Sequence, residues 1–493
     1  MNILILGYGV EGKSVENYFK HDPAIYEHTS LDILDKFDKE ELLFKDYSGY
    51  DLIFRTPSIP PKFIDAPQEK ITSCTKYFFH HCPCPIIGVT GTKGKGTTCT
   101  MIKDILNAIA GANPSIAAHR GSYDRAIDAE PRNDGREDTG DASEGLRKAV
   151  LVGNIGIPSM DELPNLTEND VVVYELSSFQ LWDMDISPAV SVVLRLEPDH
   201  LDVHESFAEY LSAKQNIVNF QTEDDFCIYF KDNKDTVSLA TNSKAKKLTY
   251  PCSEADWSAE PSSANFAEIR TKIDSILDEL QVPGAHNRED AEAALLASFA
   301  FFKRSETDLT LESFLDQHEA ELKTALHGFK ALPHHIELVR ELNGVKYYDD
   351  SFSTVSPALR ACLNAFPNTP FVLVAGGKDK GFDLYDVKRL IFDNHNLIKA
   401  VLIGETAAKL KDGEDPEKYV DCGTDFELAI KTAQKLAEAK LETEEENSDT
   451  CLVDKKPEVK NPVVLLSPCA SSFDMFKSYK DRGDQFKKIV NEL

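Results

Sequence analysis

Short apolar runs that end in glycine or an acid, each followed by a stretch with helical spacing, recur along the chain: Ile3-Leu4-Ile5-Leu6, Ile86-Ile87-Gly88-Val89, Val171-Val172-Val173-Tyr174, Val190 to Leu194, Phe371 to Ala375, Val401-Leu402-Ile403 and Val463 to Leu466. Runs of this length suit strands buried on both faces, and their alternation with helical patterns predicts an α/β fold built on parallel sheets. Three blocks emerge: residues 1–84, closing in the loop Cys82-Pro83-Cys84-Pro85; residues 85–326; and residues 327–493, with Gly328-Phe329-Lys330-Ala331-Leu332-Pro333 at their head. Each block carries its own glycine loop. Between Gly111 and Lys148 the chain turns polar and almost loses its large apolar residues, which reads as an exposed insertion or mobile loop; the acidic stretch Glu442 to Glu458 reads the same way.

Charge narrows the function. Across 493 residues, 83 Asp and Glu stand against 54 Lys and Arg, a formal charge of -29. Such a field repels polyphosphates and argues against nucleic-acid binding, so an anionic substrate has to be held by loop amides and a few placed lysines. No run approaches the roughly 18–20 apolar residues that cross a bilayer, and MNILILGYG enters a strand directly, so a soluble, cytoplasmic protein is expected. Ten cysteines without a CxxC pair fit reduced thiols, and His80-His81-Cys82-Pro83-Cys84 lacks zinc-ligand spacing and reads as a plain loop.

Five constellations could carry chemistry. Gly7-Tyr8-Gly9-Val10-Glu11-Gly12 follows a strand and precedes a helical stretch, so it can cradle a nucleotide diphosphate or be an empty Rossmann-like turn. NAD is disfavoured, because the acid nearest the ribose position, Glu27, is followed by His28-Thr29 and no hydride machinery is visible. Gly88-Val89-Thr90-Gly91-Thr92-Lys93-Gly94-Lys95-Gly96-Thr97-Thr98 is a phosphate loop for ATP, with Lys95 as the cation; Gly96 fills the usual Ser/Thr slot, which leaves Thr97 to supply a hydroxyl for Mg²⁺. Glu175 ends the strand Val171–Tyr174, where α/β sheets bind ligands, and His200 follows the next strand; both are metal-ligand candidates. Lys214 falls on the apolar face of a helix that starts at the capping box Ser206-Phe207-Ala208-Glu209; its spacing alone favours a snorkelling lysine over a desolvated one able to form a carbamate. Thr354, Lys380 and Ser472 sit in three loops at strand ends of the last block and could converge on one small anion.

In their order and spacing these motifs resemble the Mur ligases, the ATP-dependent amino-acid ligases of peptidoglycan precursor synthesis, over nearly the whole chain apart from the two polar segments. Gly91 to Lys95 is similar to their ATP loop, Glu175-Leu176-Ser177-Ser178-Phe179-Gln180-Leu181 to their acidic strand end, Asp199-His200-Leu201-Asp202 to their metal histidine, and Gly284-Ala285-His286-Asn287 to an ATP-contacting helix start. Leu332-Pro333-His334, Asp350-Ser351, Gly376-Gly377, Lys380 and Ser467-Pro468 to Arg482-Gly483 complete the series. The resemblance implies three domains: a Rossmann-like one for UDP, a central P-loop-type ATPase, and a Rossmann-like one for the incoming amino acid. It implies a monomer acting on UDP-N-acetylmuramoyl-L-alanine, glutamate and ATP through an acyl phosphate, the handedness of the glutamate left open. On the same basis Gly9, Val10, Glu11, Thr56, Ser58, Asn154 and Ser177 hold the UDP substrate. Gly91 to Thr97 with Asn287, Asp290, His335 and Asp350 hold ATP, and Thr354, Lys380, Ser472 and Tyr479 hold the amino acid. Thr97, Glu175, His200 and a carbamylated Lys214 hold two Mg²⁺, which reverses the snorkelling preference for Lys214.

Five positions depart from the family pattern: Phe352 replaces a lysine, His335 an arginine, Asp290 an asparagine and Tyr479 a phenylalanine, and Gly96 fills the slot after the loop lysine. Rival readings are a folylpolyglutamate-type ligase, which lacks an N-terminal glycine motif, a nicotinamide oxidoreductase, which has no use for Lys95, Glu175 and His200, and a silent nucleotide-binding regulator.

Overall fold

A computed structural model describes residues 1–21, 28–35, 38, 41–112, 146–253, 266–381, 384–449 and 460–493. Glu27, most of the polar segment 111–148 and the end of the acidic segment 442–458 lie outside the described residues. The chain forms two compact units, Met1–Leu280 with Arg288–Gly328, and Gln281–Asn287 with Phe329–Leu493.

The first unit holds two parallel sheets. One is built from β1 (Asn2–Leu6), β2 (Ser30–Leu34), β3 (Leu52–Arg55) and β4 (Ile71–Ser73) in the order β2-β1-β3-β4. The other takes β5 (Ile86–Thr90), β6 (Lys148–Gly153), β7 (Asp170–Glu175), β8 (Val190–Val193), β9 (Phe226–Phe230) and β10 (Lys246–Tyr250) in the order β10-β9-β8-β5-β7-β6. Every residue of β5, β7 and β8 is buried, as helices on both faces of a parallel sheet require. The helix Lys95–Ala112 buries Thr98, Cys99, Met101, Ile102, Ile105, Leu106 and Ile109, one stripe at helical spacing. The two sheets share a core in which Ile3, Ile5, Phe19, Phe54 and Phe78 pack in one cluster with Val172, Tyr174 and Leu181. Arg55, fully buried, pairs with Asp183 across that junction, and Ser14 Oγ donates to Asp161 at 2.8 Å.

The second unit has one sheet: β11 (Glu337–Leu342), β12 (Val345–Asp349), β13 (Phe371–Gly376), β14 (Leu397–Ile403), β15 (Tyr419–Asp421) and β16 (Val463–Leu466), in the order β11-β12-β16-β13-β14-β15. It is parallel except for β11, a hairpin partner of β12. The loops after β12, β13 and β16 therefore open at one end of the sheet and are tied together. Cys469 N–H donates to Ser353 O at 2.9 Å, and Lys378 N–H to Ser471 O at 2.7 Å.

One expectation is corrected. The acidic segment does not begin as a loop: the helix Phe426–Asp449 runs through its first half, extending the Ala-, Leu-, Lys- and Glu-rich turns before it through a stretch itself rich in Glu. Lys214 is closed over by the rest of its own helix and the loop after β5, which leave its side chain buried, as the family resemblance implies and the spacing alone does not.

Candidate active site

The loop after β5 is shaped by glycine. Gly91 and Gly94 have φ of +157° and +84°; a Cβ on Gly91 would lie 2.6 Å from Leu194 Cβ, and one on Gly94 would lie 2.4 Å from Asp290 Oδ1. Thr92 fastens the loop to the segment beyond β8. Its N–H donates to Arg195 O at 2.9 Å, its hydroxyl donates to Glu197 O at 3.0 Å, and that hydroxyl accepts from Glu197 N–H at 2.9 Å. The loop ends where the helix Lys95–Ala112 begins, so its amides and the helix N-terminus face the same point, an arrangement that favours phosphate. Lys93 is exposed, while Gly96 and Thr97 lie half-buried in the first helical turn. Lys95 Nζ donates to Gly91 O at 3.1 Å and Thr92 O at 3.3 Å. Burial draws its pKa down, and Glu175 opposes that shift.

Glu175 stands at the end of β7, in register with Val89 of β5. Burial raises its pKa, while Lys95, the Asn154 amide and Lys214 hold it back. Lys214 Nζ donates to Thr90 Oγ1 at 3.0 Å and to Gly91 O at 3.1 Å, and it sits 4.9 Å from the centre of the Tyr210 ring. Burial, reinforced by Lys95, drives the Lys214 pKa well below the ordinary lysine range, against the pull of Asp199 and Glu175. Lys95, Glu175, Lys214 and Asp199 thus share one electrostatic neighbourhood at the carboxyl end of the sheet. Asp199 received no role from the sequence; its signal was its place in the same Asp-His motif as His200.

His200 itself is half-exposed with φ of +54°, its Nε2 3.7 Å from Asp199 Oδ2 and its ring against Phe179. It lies seven residues beyond β8 rather than at the strand end, and Asp199 links it to the cluster. His204 is the buried histidine of this segment. It bonds Ser178 Oγ at 2.8 Å, contacts Glu209 and stacks on Phe179. The oxygens of Glu175, Asp199 and Thr97 suit a hard cation such as Mg²⁺, whereas the Lys214 amine does not unless it becomes a carbamate. Among the described residues the one close trio of His and acid donors is elsewhere, at His334, Glu337 and Asp349, where the Lys487 ammonium already pairs with Glu337 at 2.5 Å.

The first glycine turn is equally specific. Gly7 (φ +88°) lies so close to Thr56 that a Cβ would meet its hydroxyl at 2.3 Å, and Gly12 packs on Gly7 O. Thr56 Oγ1 donates to Leu6 O at 3.0 Å and lies 3.3 Å from Ser58 Oγ, while Gly9 and Val10 are exposed. Glu11 accepts from Gln180 Nε2 at 2.8 Å; its other oxygen is buried without a partner, and burial raises its pKa. Gln180 Oε1 in turn accepts from Ser177, the cap of the helix Ser178–Leu181, so Glu11 and Ser177 are joined through one side chain. The acid at the end of β2 is Asp35, which accepts from Tyr8 N–H at 2.9 Å. Sequence spacing had pointed to Glu27. The strand runs eight residues further than that reckoning, through the alternating Ser30-Leu31-Asp32-Ile33-Leu34.

In the second unit, Asp350 is buried, accepts from Ser467 Oγ at 2.8 Å, and is pushed up to about 7, first by burial. Arg482, buried, donates to Ser351 Oγ, Ser351 O and Ala470 O, which locks two of the strand-end loops. Thr354 is half-buried, Lys380 exposed and Ser472 buried, on the loops that the Cys469 and Lys378 bonds tie together, and Tyr479, half-buried, opens the helix Tyr479–Glu492. Asn287 spends its side-chain amide on Pro283 O at 2.6 Å.

Residues 89–298 match the model of the Mur ligase middle domain, which spans the loop, Glu175, His200, Lys214 and Asp290. A UDP-N-acetylmuramoylalanine--D-glutamate ligase of Clostridium kluyveri is 33% identical over 461 residues, covering 92% of this chain and 85% of the relative. The enzyme of the same name from Clostridium botulinum is 30% identical over 457 residues, with 90% and 83% covered. The chain belongs to the Mur ligase family. Among solved structures, the UDP-N-acetylmuramate-alanine ligase MurC of Thermotoga maritima shares the fold at 14% identity with a TM-score of 0.50, covering 100% of this chain and 99% of that one. In this Mur ligase the Phe352 and His335 rings stack at 4.2 Å and 28°, with Tyr479 edge-on to Phe352 at 5.3 Å.

Proposed function

We propose that the protein joins glutamate, the D isomer, to UDP-N-acetylmuramoyl-L-alanine at the expense of ATP, as a cytoplasmic monomeric step in peptidoglycan precursor synthesis. The observation that carries this reading is the phosphate loop with Lys95, Glu175 and buried Lys214 gathered behind it, in a chain similar along nearly all its length to ligases of that name. A carboxylate does not react with an amine until one oxygen becomes a good leaving group. The alanyl carboxylate therefore attacks the γ-phosphate, giving an acyl phosphate and ADP. The glutamate amine then attacks the acyl carbon, and phosphate leaves as the tetrahedral intermediate collapses.

In this reading residues 1–84 bind the UDP moiety through Gly9, Val10, Glu11, Thr56 and Ser58, with Asp35 added; Asn154 and Ser177 lie along the muramoyl part. Residues 85–326 carry the loop Gly91 to Thr97, whose amides and Lys95 offset the charge of the transferring phosphoryl group. Bound Mg²⁺ neutralises phosphate charge, and Thr97, Glu175, Asp199, His200 and a carbamylated Lys214 are the residues to hold it. Lys214 suits carbamylation because its depressed pKa supplies the neutral amine that CO₂ requires. Asn287, Asp290, His335 and Asp350 are the further ATP-binding candidates, and within residues 327–493 Thr354, Lys380, Ser472 and Tyr479 are the candidates to hold the amino acid.

Phosphate release is the test, with purified protein, ATP and Mg²⁺. Release that requires both the UDP-muramoyl-alanine acceptor and D-glutamate is expected; release without the acceptor, or equal release with L-glutamate, overturns the reading or its stereochemistry respectively.

A further inference from the structure

Asp290 lies in the second turn of the helix Ala285–Ser305, buried, with its carboxyl packed on Gly94: a Cβ there would stand 2.4 Å from Oδ1 and 2.7 Å from Oδ2. Gly94 is the residue that turns the phosphate loop into its helix. Burial outweighs the two groups that favour a negative charge on the carboxyl, the Thr98 hydroxyl and the Arg195 guanidinium. Arg195, the nearby guanidinium, is bonded to Glu289 at 3.4 Å, and the Lys95 ammonium is directed to the Gly91 and Thr92 carbonyls. The remaining titratable groups that face it are acidic or neutral: Glu289 on its own helix, Cys99 on the helix of the loop, and Tyr250 at the end of β10. Thr98, whose buried hydroxyl has no other partner, lies alongside. Among the described residues no ion pair reaches Asp290, and burial with Glu289 beside it pushes its pKa well up. A buried carboxyl without a cation takes its neutral form, in which it can donate as well as accept.

We propose that Asp290 works as a neutral carboxylic acid, a positioning residue that braces Gly94 and makes the affinity of the phosphate loop for nucleotide fall when its proton is lost. The proposal rests on the nucleotide reading of the loop. Its sign follows from charge: ionisation places an anion directly behind amides that have to bind phosphate, so affinity drops as pH rises.

ADP binding by the full chain, measured calorimetrically from about pH 7 to about pH 9.5, tests it against Asp290→Asn and Asp290→Ala. Lys95 and Lys214 titrate in all three proteins, so the difference between wild type and Asp290→Asn isolates residue 290. The ratio of wild-type to Asp290→Asn affinity is expected to fall by roughly tenfold from neutrality to the alkaline end, whatever its starting value, while Asp290→Ala is weaker than wild type by roughly tenfold near neutrality. Parallel pH profiles for wild type and Asp290→Asn overturn the proposal. Infrared difference spectra supply a second readout: a protonated-carboxyl band at neutral pH that Asp290→Asn lacks is expected, and its absence from the wild type overturns the proposal. Should the wild type fail to bind ADP at every pH, the nucleotide reading falls, and the infrared band still decides the state of Asp290.

Discussion

Arg55 is where the architecture can be tested most sharply. Its buried guanidinium donates Nε to Asp183 Oδ2 at 2.6 Å and Nη2 to the other carboxylate oxygen, and it also reaches Phe179 O at 3.1 Å and Ile59 O at 3.5 Å. The first three bonds join β3 to the segment around the helix Ser178–Leu181; the fourth closes the loop that carries Thr56 and Ser58. In Arg55→Met the Asp183 carboxylate stays buried without its cation, a loss of about 3–5 kcal/mol, because the desolvation of the remaining charge is no longer offset. Replacing both partners, Arg55→Met with Asp183→Leu, removes both charges from the interior and is expected within roughly 1–2 kcal/mol of wild type. Urea unfolding is the assay, followed by Trp182, whose ring lies 5.9 Å from the guanidinium. A chain of several domains need not unfold in one step, so the transition reported by that tryptophan is the one to compare. A cost below about 1 kcal/mol for Arg55→Met, or a double variant as unstable as the sum of the two singles, would refute the reasoning.

Other consequences are as direct. Lys95→Ala is expected to lower acceptor-dependent phosphate release by roughly 10²–10³-fold with the circular dichroism spectrum unchanged; near-full turnover would remove Lys95 from the reaction. Lys214 has a depressed pKa in the folded chain, so the unfolded chain binds the extra proton, and stability rises with pH from that depressed value up to the ordinary lysine range, then levels. Urea midpoints across that window should climb more steeply for the wild type than for Lys214→Met, in which only other depressed groups such as Lys95 still contribute. Labelled bicarbonate should give a carbamate ¹³C resonance that the same variant lacks. Asp350 has the opposite sign. With its folded pKa pushed up to about 7, the folded chain binds the extra proton, so stability falls as pH rises from the ordinary carboxylate range to about 7 and is constant above it. That slope, worth a few kcal/mol at about 1.4 kcal/mol per pKa unit, should vanish in Asp350→Asn.

Much of this protein was determined by the amino-acid order alone. The apolar runs at Ile3, Ile86, Val171, Val190, Phe371, Val401 and Val463 are all strands, because a strand covered on both faces has to be apolar throughout. The loop Gly91 to Lys95 was legible because its glycines and lysine are demanded locally, by backbone angles and by a helix start. Strands such as Ser30–Leu34, Ile71–Ser73 and Glu337–Leu342 left no such trace, since each is an edge strand of its sheet, and the first and last mix polar with apolar residues along their length. What residues far apart in sequence do to one another was decided by the tertiary structure. The burial of Lys214, the anion of Asp199 beside it, the acid of Asp35 at the first glycine turn, the Phe352–His335 stack and the uncompensated carboxyl of Asp290 on Gly94 are all encounters between distant segments. Spacing along a chain sets which conformations a segment prefers, but the field and solvation that set a side chain's protonation depend on neighbours that only packing brings within a few ångströms.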